Sequence, residues 1–304
     1  MSSPSLSIGL DVGASASVLV AEDARRSAPI KRTGPAANPQ RIGIEETARI
    51  LVDLVREGLR RPALDGPLAV CAGVAGAGRA DEQSALADRI QAALLDVAAT
   101  VQVRVLHDAR IALEAAFGAE SGAIVVAGTG SVGLARTKAG AIRRVGGWGY
   151  LLGDPASGYA LGRAGLRAVV RMAEGGEKTA LREKVQGRFG FDSQDAFIQT
   201  VYDGDVRVQE AAPLVVAAAA DGDAVARRIL TTQVDELARQ VAWLIGQCDA
   251  VHPRMALLGG MTKNDYYLDC LRQALDERVS GWTIERLTTP PVMGALNVAR
   301  RMGP

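Results

Sequence analysis

One pattern constrains this chain more than any other, because it occurs twice. Residues 5–12, Ser-Leu-Ser-Ile-Gly-Leu-Asp-Val, have the alternation of a half-buried strand and run into Gly13, Ala14 and Ser15, small residues that permit a tight turn. Residues 17–21 return as an antiparallel strand rich in β-branched side chains, and residues 27–33 add a third strand after the polar Glu22-Asp23. The second half opens in the same style. Residues 123–127 form a short apolar run that ends in Gly128-Thr-Gly-Ser131, followed by strands over 132–136 and 142–145. A strand, a turn and a meander, repeated, imply two α/β halves.

Helices and parallel strands extend each half. Ile50, Leu51, Leu54, Val55 and Leu59 recur at helical spacing within residues 45–61, and Pro62 ends the pattern. A strand over 68–72, a glycine-rich turn over 73–78, a helix over 81–98 and a strand over 101–106 then make a βαβ unit. Residues 156–251 are alanine-rich and mostly helical, broken near 175–176, 187–190 and 204–205, before a strand over 255–258 leads into Gly259-Gly260. Residues 290–301 read as a terminal helix. No linker or low-complexity tract separates the halves, so the boundary lies within residues 107–122.

Composition excludes several classes. A length of 304 residues suits two domains with sizeable cores, and 48% hydrophobic against 23% charged residues describes neither a disordered chain nor a membrane bundle. Lys+Arg 35 against Asp+Glu 34 leaves a net charge of +1, so neither nucleic acid nor a membrane is an expected partner, and any phosphate must be held locally. Cys71, Cys248 and Cys270 lie far apart without CxxC spacing, which fits a reducing cytoplasm rather than a disulfide scaffold or a zinc site. The N-terminus carries no export signal.

Four strand-end turns, over 11–17, 73–78, 128–131 and 259–260, are short in side chain and rich in glycine. At the carboxyl ends of α/β strands such residues let backbone N–H groups approach phosphate oxygens, although any one of them could simply turn the chain. There is no GxxxxGK[ST] run and no GxGxxG after the first strand, which removes the P-loop and dinucleotide readings. Asp108 follows a strand and precedes the helical pattern of Ile111, Leu113, Ala115 and Ala116, so its carboxylate is either a helix N-cap or an acceptor for a hydroxyl proton in phosphoryl transfer. Trp148 in Gly146-Gly-Trp-Gly149 offers a face to a sugar ring or packs in the core; the flanking glycines favour the former. His252 reads as a helix-end residue, Cys71 as a small core hydrophobe, Arg25-Arg26 with Lys31-Arg32 as a solvated strand face, and Arg300-Arg301 as a complement to a helix C-terminus.

Taken together, Ile8-Gly-Leu-Asp-Val-Gly-Ala-Ser-Ala-Ser17 and Ala127-Gly-Thr-Gly-Ser131 resemble the two phosphate hairpins of the actin-like ATPase and sugar-kinase fold, and Ala256-Leu-Leu-Gly-Gly-Met261 resembles its adenosine motif. Val105-Leu-His-Asp-Ala109, Gly146-Gly-Trp-Gly149 and Leu152-Gly-Asp-Pro-Ala-Ser-Gly158 are similar to the N-acetylglucosamine kinases of the BadF/BadG/BcrA/BcrD ATPase family, in the family's order along nearly the whole chain. The resemblance implies an α/β protein of two ribonuclease-H-like domains with a cleft between them. Residues 1–115 plus the helix over 290–304 would form the first, and residues 116–289, with a helical insertion, the second. It implies ATP-dependent phosphorylation of the 6-hydroxyl of an amino sugar, most of all N-acetylglucosamine, with glucosamine as an alternative, and a cytoplasmic homodimer.

By the same resemblance Asp108 is the catalytic base and a sugar contact, and Asp11 acts on Mg²⁺ through water. ATP and its phosphates fall to Asp11, Gly13, Ser15, Ser17, Gly128, Thr129, Gly130, Ser131, Gly259, Gly260 and Met261. The sugar falls to Asp108, Thr129, Gly147, Trp148, Asp154 and Ser157. The chain departs from the family where His107 replaces Asn, and where Pro155-Ala156 replaces Glu-Gly. Two rival readings share these motifs: an ATPase that activates a dehydratase through an iron–sulfur cluster, and a non-catalytic sugar or nucleotide sensor.

Overall fold

The computed structural model describes residues 6–13, 15–23, 28–59, 64, 66–203 and 206–302. Ala14, Arg25-Arg26, the C-terminal end of the helix expected to 61, and the break at 204–205 lie outside the described residues. The chain divides into two compact units, Met1–Glu120 with Thr288–Pro304, and Ser121–Leu287.

In the first unit β1 (Leu6–Val12), β2 (Ser17–Asp23) and β3 (Ile30–Gly34) form the meander, followed by α1 (Pro39–Ile42) and α2 (Ile44–Leu59). β4 (Leu68–Val74), α3 (Ala80–Ala93), β5 (Val101–His107) and α4 (Asp108–Phe117) complete the run, and α11 (Pro291–Arg301) joins this unit from the end of the chain. The five-stranded sheet has the order β3-β2-β1-β4-β5, antiparallel in the meander and parallel from β1 to β5. The period-two alternation of β1 divides the core. Ile8, Leu10 and Val12 face Leu51, Leu54 and Val55 of α2 and Leu86 and Ile90 of α3. On the other face, Cys71 of β4 packs with Ile111 of α4 and Ala295 and Val298 of α11.

That second face admits a helix at close range only because it lacks side chains. A Cβ at Gly9 would lie 2.4 Å from the Leu296 backbone nitrogen, and one at Gly294 would lie 1.9 Å from the Ile111 carbonyl oxygen. The C-terminal end of α11 is tied by Arg300 to Glu22 and by Arg301 to the buried Glu114. The basic pair thus completes ion pairs within the unit as well as occupying the last helical turn.

In the second unit β6 (Gly122–Ala127), β7 (Ser131–Arg136) and β8 (Ile142–Gly146) repeat the meander, and α5 (Gly158–Ala173), α6 (Leu181–Phe189), α7 (Gln194–Tyr202), α8 (Ala212–Ala220) and α9 (Ala224–Gly246) form the helical block. β9 (Arg254–Leu258), α10 (Asp265–Asp276) and β10 (Thr283–Arg286) close the unit. Its sheet order, β10-β9-β6-β7-β8, is that of the first sheet read from the opposite edge. The two openings in the sequence are therefore the first strands of two copies of one topology. Val125 and Ala127 of β6 share a core with Leu161 of α5, Val215 of α8, Val241 of α9 and Tyr267 of α10.

Two sequence expectations are corrected. The helix expected over 81–98 ends at Ala93, because Leu94 leaves helical geometry and the turn buries Leu94, Val97 and Ala98 in the core. His252 ends no helix; it lies beyond α9, where its Nδ1 is 2.5 Å from Ser121 Oγ and its backbone N–H donates to the same oxygen at 3.2 Å, clasping the start of β6.

Gly294→Ala is expected to destabilise the chain by about 1–3 kcal/mol, since backbone lies on the far side of the missing Cβ. Gly246→Ala, at the exposed end of α9 with nothing within 4 Å, is expected to be neutral or stabilising by about 0.5–1 kcal/mol. Equal thermal midpoints for the two variants would contradict this account of α11.

Candidate functional site

The candidate residues fall into one group in each unit. In the first, Asp11 ends β1 and Asp108 opens α4 directly after β5, with β4 between the two strands and Gly73 paired to Asp11 and to Leu106. Asp11 shares its sheet face with Gly9, the face that carries α4 and α11. Its carboxyl is pushed up to about 6, first by burial and then by the negative charge of Asp108.

Asp108 goes the other way. Burial raises it, but the hydrogen bond and charge of His107 and the N–H of Ala109 outweigh that and hold it below the ordinary carboxylate value. His107 Nδ1 lies 2.8 Å from Asp108 Oδ1 and 3.2 Å from the Ala109 nitrogen, while the Ala109 N–H reaches Asp108 Oδ1 at 2.7 Å. The shorter contacts assign the Nδ1 proton to the carboxylate. His107 stands at the N-cap position of α4, and the Asp108 carboxylate accepts from the N–H of Ala109 in the first turn.

The turn after β1 is closed by the Gly13 N–H donating to the Ala16 carbonyl at 3.0 Å. Ser15 is exposed. Ser17 is fully buried and its hydroxyl donates to the Pro35 carbonyl at 2.7 Å, so the phosphate role expected of that hydroxyl is spent on the meander. Asn38, which the sequence reading passed over, caps α1 and lies against the turn at Gly76, where a Cβ would approach its Oδ1 to 2.3 Å.

In the second unit the ends of β6 and β9 are adjacent parallel strand ends with almost no side chain above them. Gly128 donates to the Gly130 carbonyl at 2.9 Å, and a Cβ on Gly128 would meet only the Gly260 nitrogen, at 3.9 Å. Gly259 has φ +110, and a Cβ there would lie 2.2 Å from the Ala127 carbonyl oxygen; Gly260 has nothing within 4 Å. The N-terminus of α5 closes the cradle. Gly158 donates to the Gly128 carbonyl at 2.7 Å and Tyr159 to the Thr129 carbonyl at 3.2 Å, Thr129 itself is exposed, and Met261 Sδ comes within 3.6 Å of a Cβ on Gly158. The first three N–H groups of α5, on Gly158, Tyr159 and Ala160, are thus taken up within the unit, and the open backbone of the cradle is that of Thr129 and Gly260. Ser157 caps α5 by accepting from the Ala160 N–H, and the Ser131 hydroxyl donates to the Pro155 carbonyl at 2.7 Å; both are buried, and the roles expected of those hydroxyls give way to holding the loop.

Residues 146–157 are an unusually constrained loop. Gly146, Gly147 and Gly149 have positive φ, and so do Asp154 (61°) and Ala156 (59°), where a side chain makes that conformation costly. The Asp154 carboxylate accepts from the backbone of Ser131, Gly149 and Gly147, and Oδ2 would lie 2.4 Å from a Cβ at Gly130. Burial nonetheless raises its pKa, and Oδ1 is buried without a partner. Trp148 is 70% exposed, which excludes core packing as its role. Two residues missed in the sequence brace this loop: Gln233 accepts from the Ala156 N–H at 3.1 Å, and the fully buried Tyr267 donates to the Ala156 carbonyl at 2.7 Å. The only sequence signal for Tyr267 is its place on the apolar stripe of α10.

Among the described residues no three His, Cys, Asp or Glu side chains cluster as a metal site, and no helix is long and apolar enough to cross a membrane. A cation at the first group would be held by one or two carboxylates with water and phosphate oxygens, the coordination magnesium prefers. The raised Asp11 beside Asp108 fits that demand, since a cation would relieve the repulsion that raises it.

This arrangement is matched among known proteins. Residues 8–297 match the BadF/BadG/BcrA/BcrD ATPase family, and the chain belongs to that family. It is 32% identical over 265 residues to an N-acetylmuramic acid/N-acetylglucosamine kinase of Clostridium acetobutylicum, covering 84% of this chain and 85% of that protein. An N-acetyl-D-glucosamine kinase of Dictyostelium discoideum is 24% identical over 96% of this chain and 97% of its own length. Among solved structures, a candidate N-acetylglucosamine kinase of Chromobacterium violaceum superposes with a TM-score of 0.77 at 23% identity, covering 97% of this chain and 99% of its own. A glucokinase of Streptomyces griseus, solved with glucose and an ATP analogue, gives 0.56 at 18% identity over 97% and 98%. The fold is the two-domain, actin-like fold of the sugar kinases.

Because its carboxyl is raised above its ordinary value in the folded chain, Asp11 costs nothing below about pH 4 and destabilises the fold increasingly as pH rises through 6. Asp11→Asn is therefore expected to stabilise the protein by about 1–2 kcal/mol at pH 8, with the gain shrinking between pH 6 and 4. Denaturant unfolding of both forms at pH 8 and 4.5 checks this; a pH-independent difference would contradict it.

Proposed function

We propose that this chain is an ATP-dependent kinase that phosphorylates the 6-hydroxyl of an amino sugar, N-acetylglucosamine or a close relative, with Asp108 as the general base. The observation that carries the reading is the placement of two carboxyls at neighbouring strand ends, Asp11 near the end of β1 and Asp108 at the start of α4 directly after β5, with Gly73 of β4 paired between them. Asp108 stays ionised and able to accept a proton, while Asp11 is destabilised as an anion and gains from a cation. Such a division of labour suits phosphoryl transfer from ATP to a hydroxyl.

Asp11 would hold Mg²⁺ through water, and the bound cation would neutralise charge on the phosphates. Thr129 and Gly130 supply N–H groups to the phosphates, Gly13 and Gly128 shape the turns that bring the phosphates close, Ser15 and Thr129 are the exposed hydroxyls, and Gly259, Gly260 and Met261 border the nucleotide. Trp148 stacks on the sugar, for which its exposure leaves it available. The unpartnered Oδ1 of Asp154 accepts from a sugar hydroxyl, a contact that discriminates because an analogue lacking the hydroxyl leaves a buried oxygen unpaired. His107 positions Asp108 by donating to it. Membership of the ATPase family and the kinase names of the relatives support the reaction class, and family habit makes a cytoplasmic homodimer using Mg-ATP the expected working form.

Asp108→Asn is expected to retain ATP binding while kcat falls by ~10²-fold or more; a loss of less than tenfold would remove Asp108 as the base. ADP release with Mg-ATP across hexoses and amino sugars is expected to require a sugar and to be strongest with one amino sugar. Hydrolysis independent of sugar would overturn the kinase reading.

A further inference from the structure

The loop that carries Trp148 and Asp154 has a second wall. On either side of Asp154 along the loop, Leu152, Gly153 and Pro155, with Tyr150, line a cavity of about 360 Å³ whose other lining residues come from α5 and α9. From α5, Arg163 and Arg167, one helical turn apart, line it, and neither has an acidic partner among the described residues. From α9 come Gln233, Glu236 and Gln240. Glu236 is engaged by Arg239 at 2.5 Å, and the Gln240 carboxamide oxygen is buried with no hydrogen-bond partner. Tyr150 packs against Tyr159 with ring centroids 4.4 Å apart and the planes tilted by 45°, which gives the cavity an aromatic edge.

Two exposed guanidiniums without an ion pair among the described residues, against the one carboxylate of Glu236 that Arg239 engages, give the concavity a net positive charge suited to an anion, since each offers a planar set of donors matched to phosphate or carboxylate. Aromatic and apolar walls with an unsatisfied carboxamide suit the body of a polar ring carrying hydroxyl donors. The volume falls at the low end of ligand pockets, the size of one monosaccharide rather than a nucleotide or a peptide.

We propose that this cavity is a regulatory site for a phosphorylated monosaccharide, distinct from the substrate group, and that occupancy acts through the shared loop. Its phosphate lies on Arg163 and Arg167, and its ring lies against Tyr150 and Pro155. The route is short. Pro155 is the residue after Asp154, its carbonyl holds the Ser131 hydroxyl at 2.7 Å, and the backbone at Asp154 and Ala156 sits in the left-handed region that a side chain resists. A ligand that shifts Pro155 shifts the cradle and the sugar contact together. The choice of a sugar phosphate rests on the kinase reading, because such an enzyme makes one; the anion site itself does not.

The test titrates N-acetylglucosamine 6-phosphate calorimetrically into the full chain with N-acetylglucosamine and ADP present in excess, so that the substrate group is filled. Saturable binding is expected, weakened at least tenfold in the Arg163→Gln/Arg167→Gln double variant. That variant is expected to keep kcat and KM within twofold when no phosphorylated sugar is added. Absence of saturable binding, or equal affinity in both forms, would overturn the site. Inorganic phosphate binding as tightly as the sugar phosphate would overturn recognition of the ring, and tighter binding of N-acetylmuramic acid would overturn the phosphate. A change of oligomeric state in the double variant, read by light scattering, would assign the arginines to a contact between copies of the chain and sink the proposal. Saturable, arginine-dependent binding by a chain that releases no ADP would retain the anion site while removing the kinase reading.

Discussion

Burial of Asp11 beside the charge of Asp108 is the constraint on which the first unit turns. Two carboxylates at the ends of strands that flank β4 cannot both be comfortable as anions, and the surroundings decide which one yields. His107 and the first N–H of α4 favour charge on Asp108, whereas Asp11 has burial and a like charge against it and is pushed up to about 6. Placing both there depends on α4 starting where it does; α4 packs closely on α11 at Gly294 and on β4 at Gly73, while Gly9 admits α11 to β1. A helix from the far end of the chain therefore sets the positions of residues near its start.

The second unit meets a different requirement with a different device. Its strand ends are bare, so the backbone itself is left open there, and rigidity comes from behind. Ser131 is tied to Pro155, Ala156 is held at both its N–H and its carbonyl by Gln233 and Tyr267, and Asp154 is fastened by three backbone donors. Strained backbone at Asp154 and Ala156 persists because these contacts over-determine it. One carboxylate oxygen of Asp154 is left buried without a partner in the chain.

Much of the fold was legible because it rests on local signals. Alternation in residues 5–12, the short apolar run of 123–127, glycine at strand ends and the 3.6-residue period of α2 all report directly on backbone geometry, and the repeat of the meander gave the two-sheet plan. Asp108 was legible as well, as an acidic residue between a strand and a helix. Hydroxyls were not. Ser17 and Ser131 belong to motifs whose serines face phosphate by resemblance, yet each finds a carbonyl at 2.7 Å, Pro35 for one and Pro155 for the other, that no spacing in the sequence announces. The same holds for His252, which pairs with Ser121 across 131 positions, and for Tyr267, an ordinary core residue by pattern whose hydroxyl reaches the Ala156 carbonyl. Long-range polar pairs are set by tertiary packing, and single-sequence patterns carry little of it.

The division between the two carboxyls is best tested by titrating them directly. Carbon-13 resonances of the aspartate carboxyls, assigned through Asp11→Asn and Asp108→Asn and followed in the chain without nucleotide, should give Asp11 a midpoint near 6 and Asp108 one below the ordinary carboxylate value. Two midpoints within the ordinary range, or Asp108 titrating above Asp11, would contradict the assignment of base and cation ligand on which this account rests.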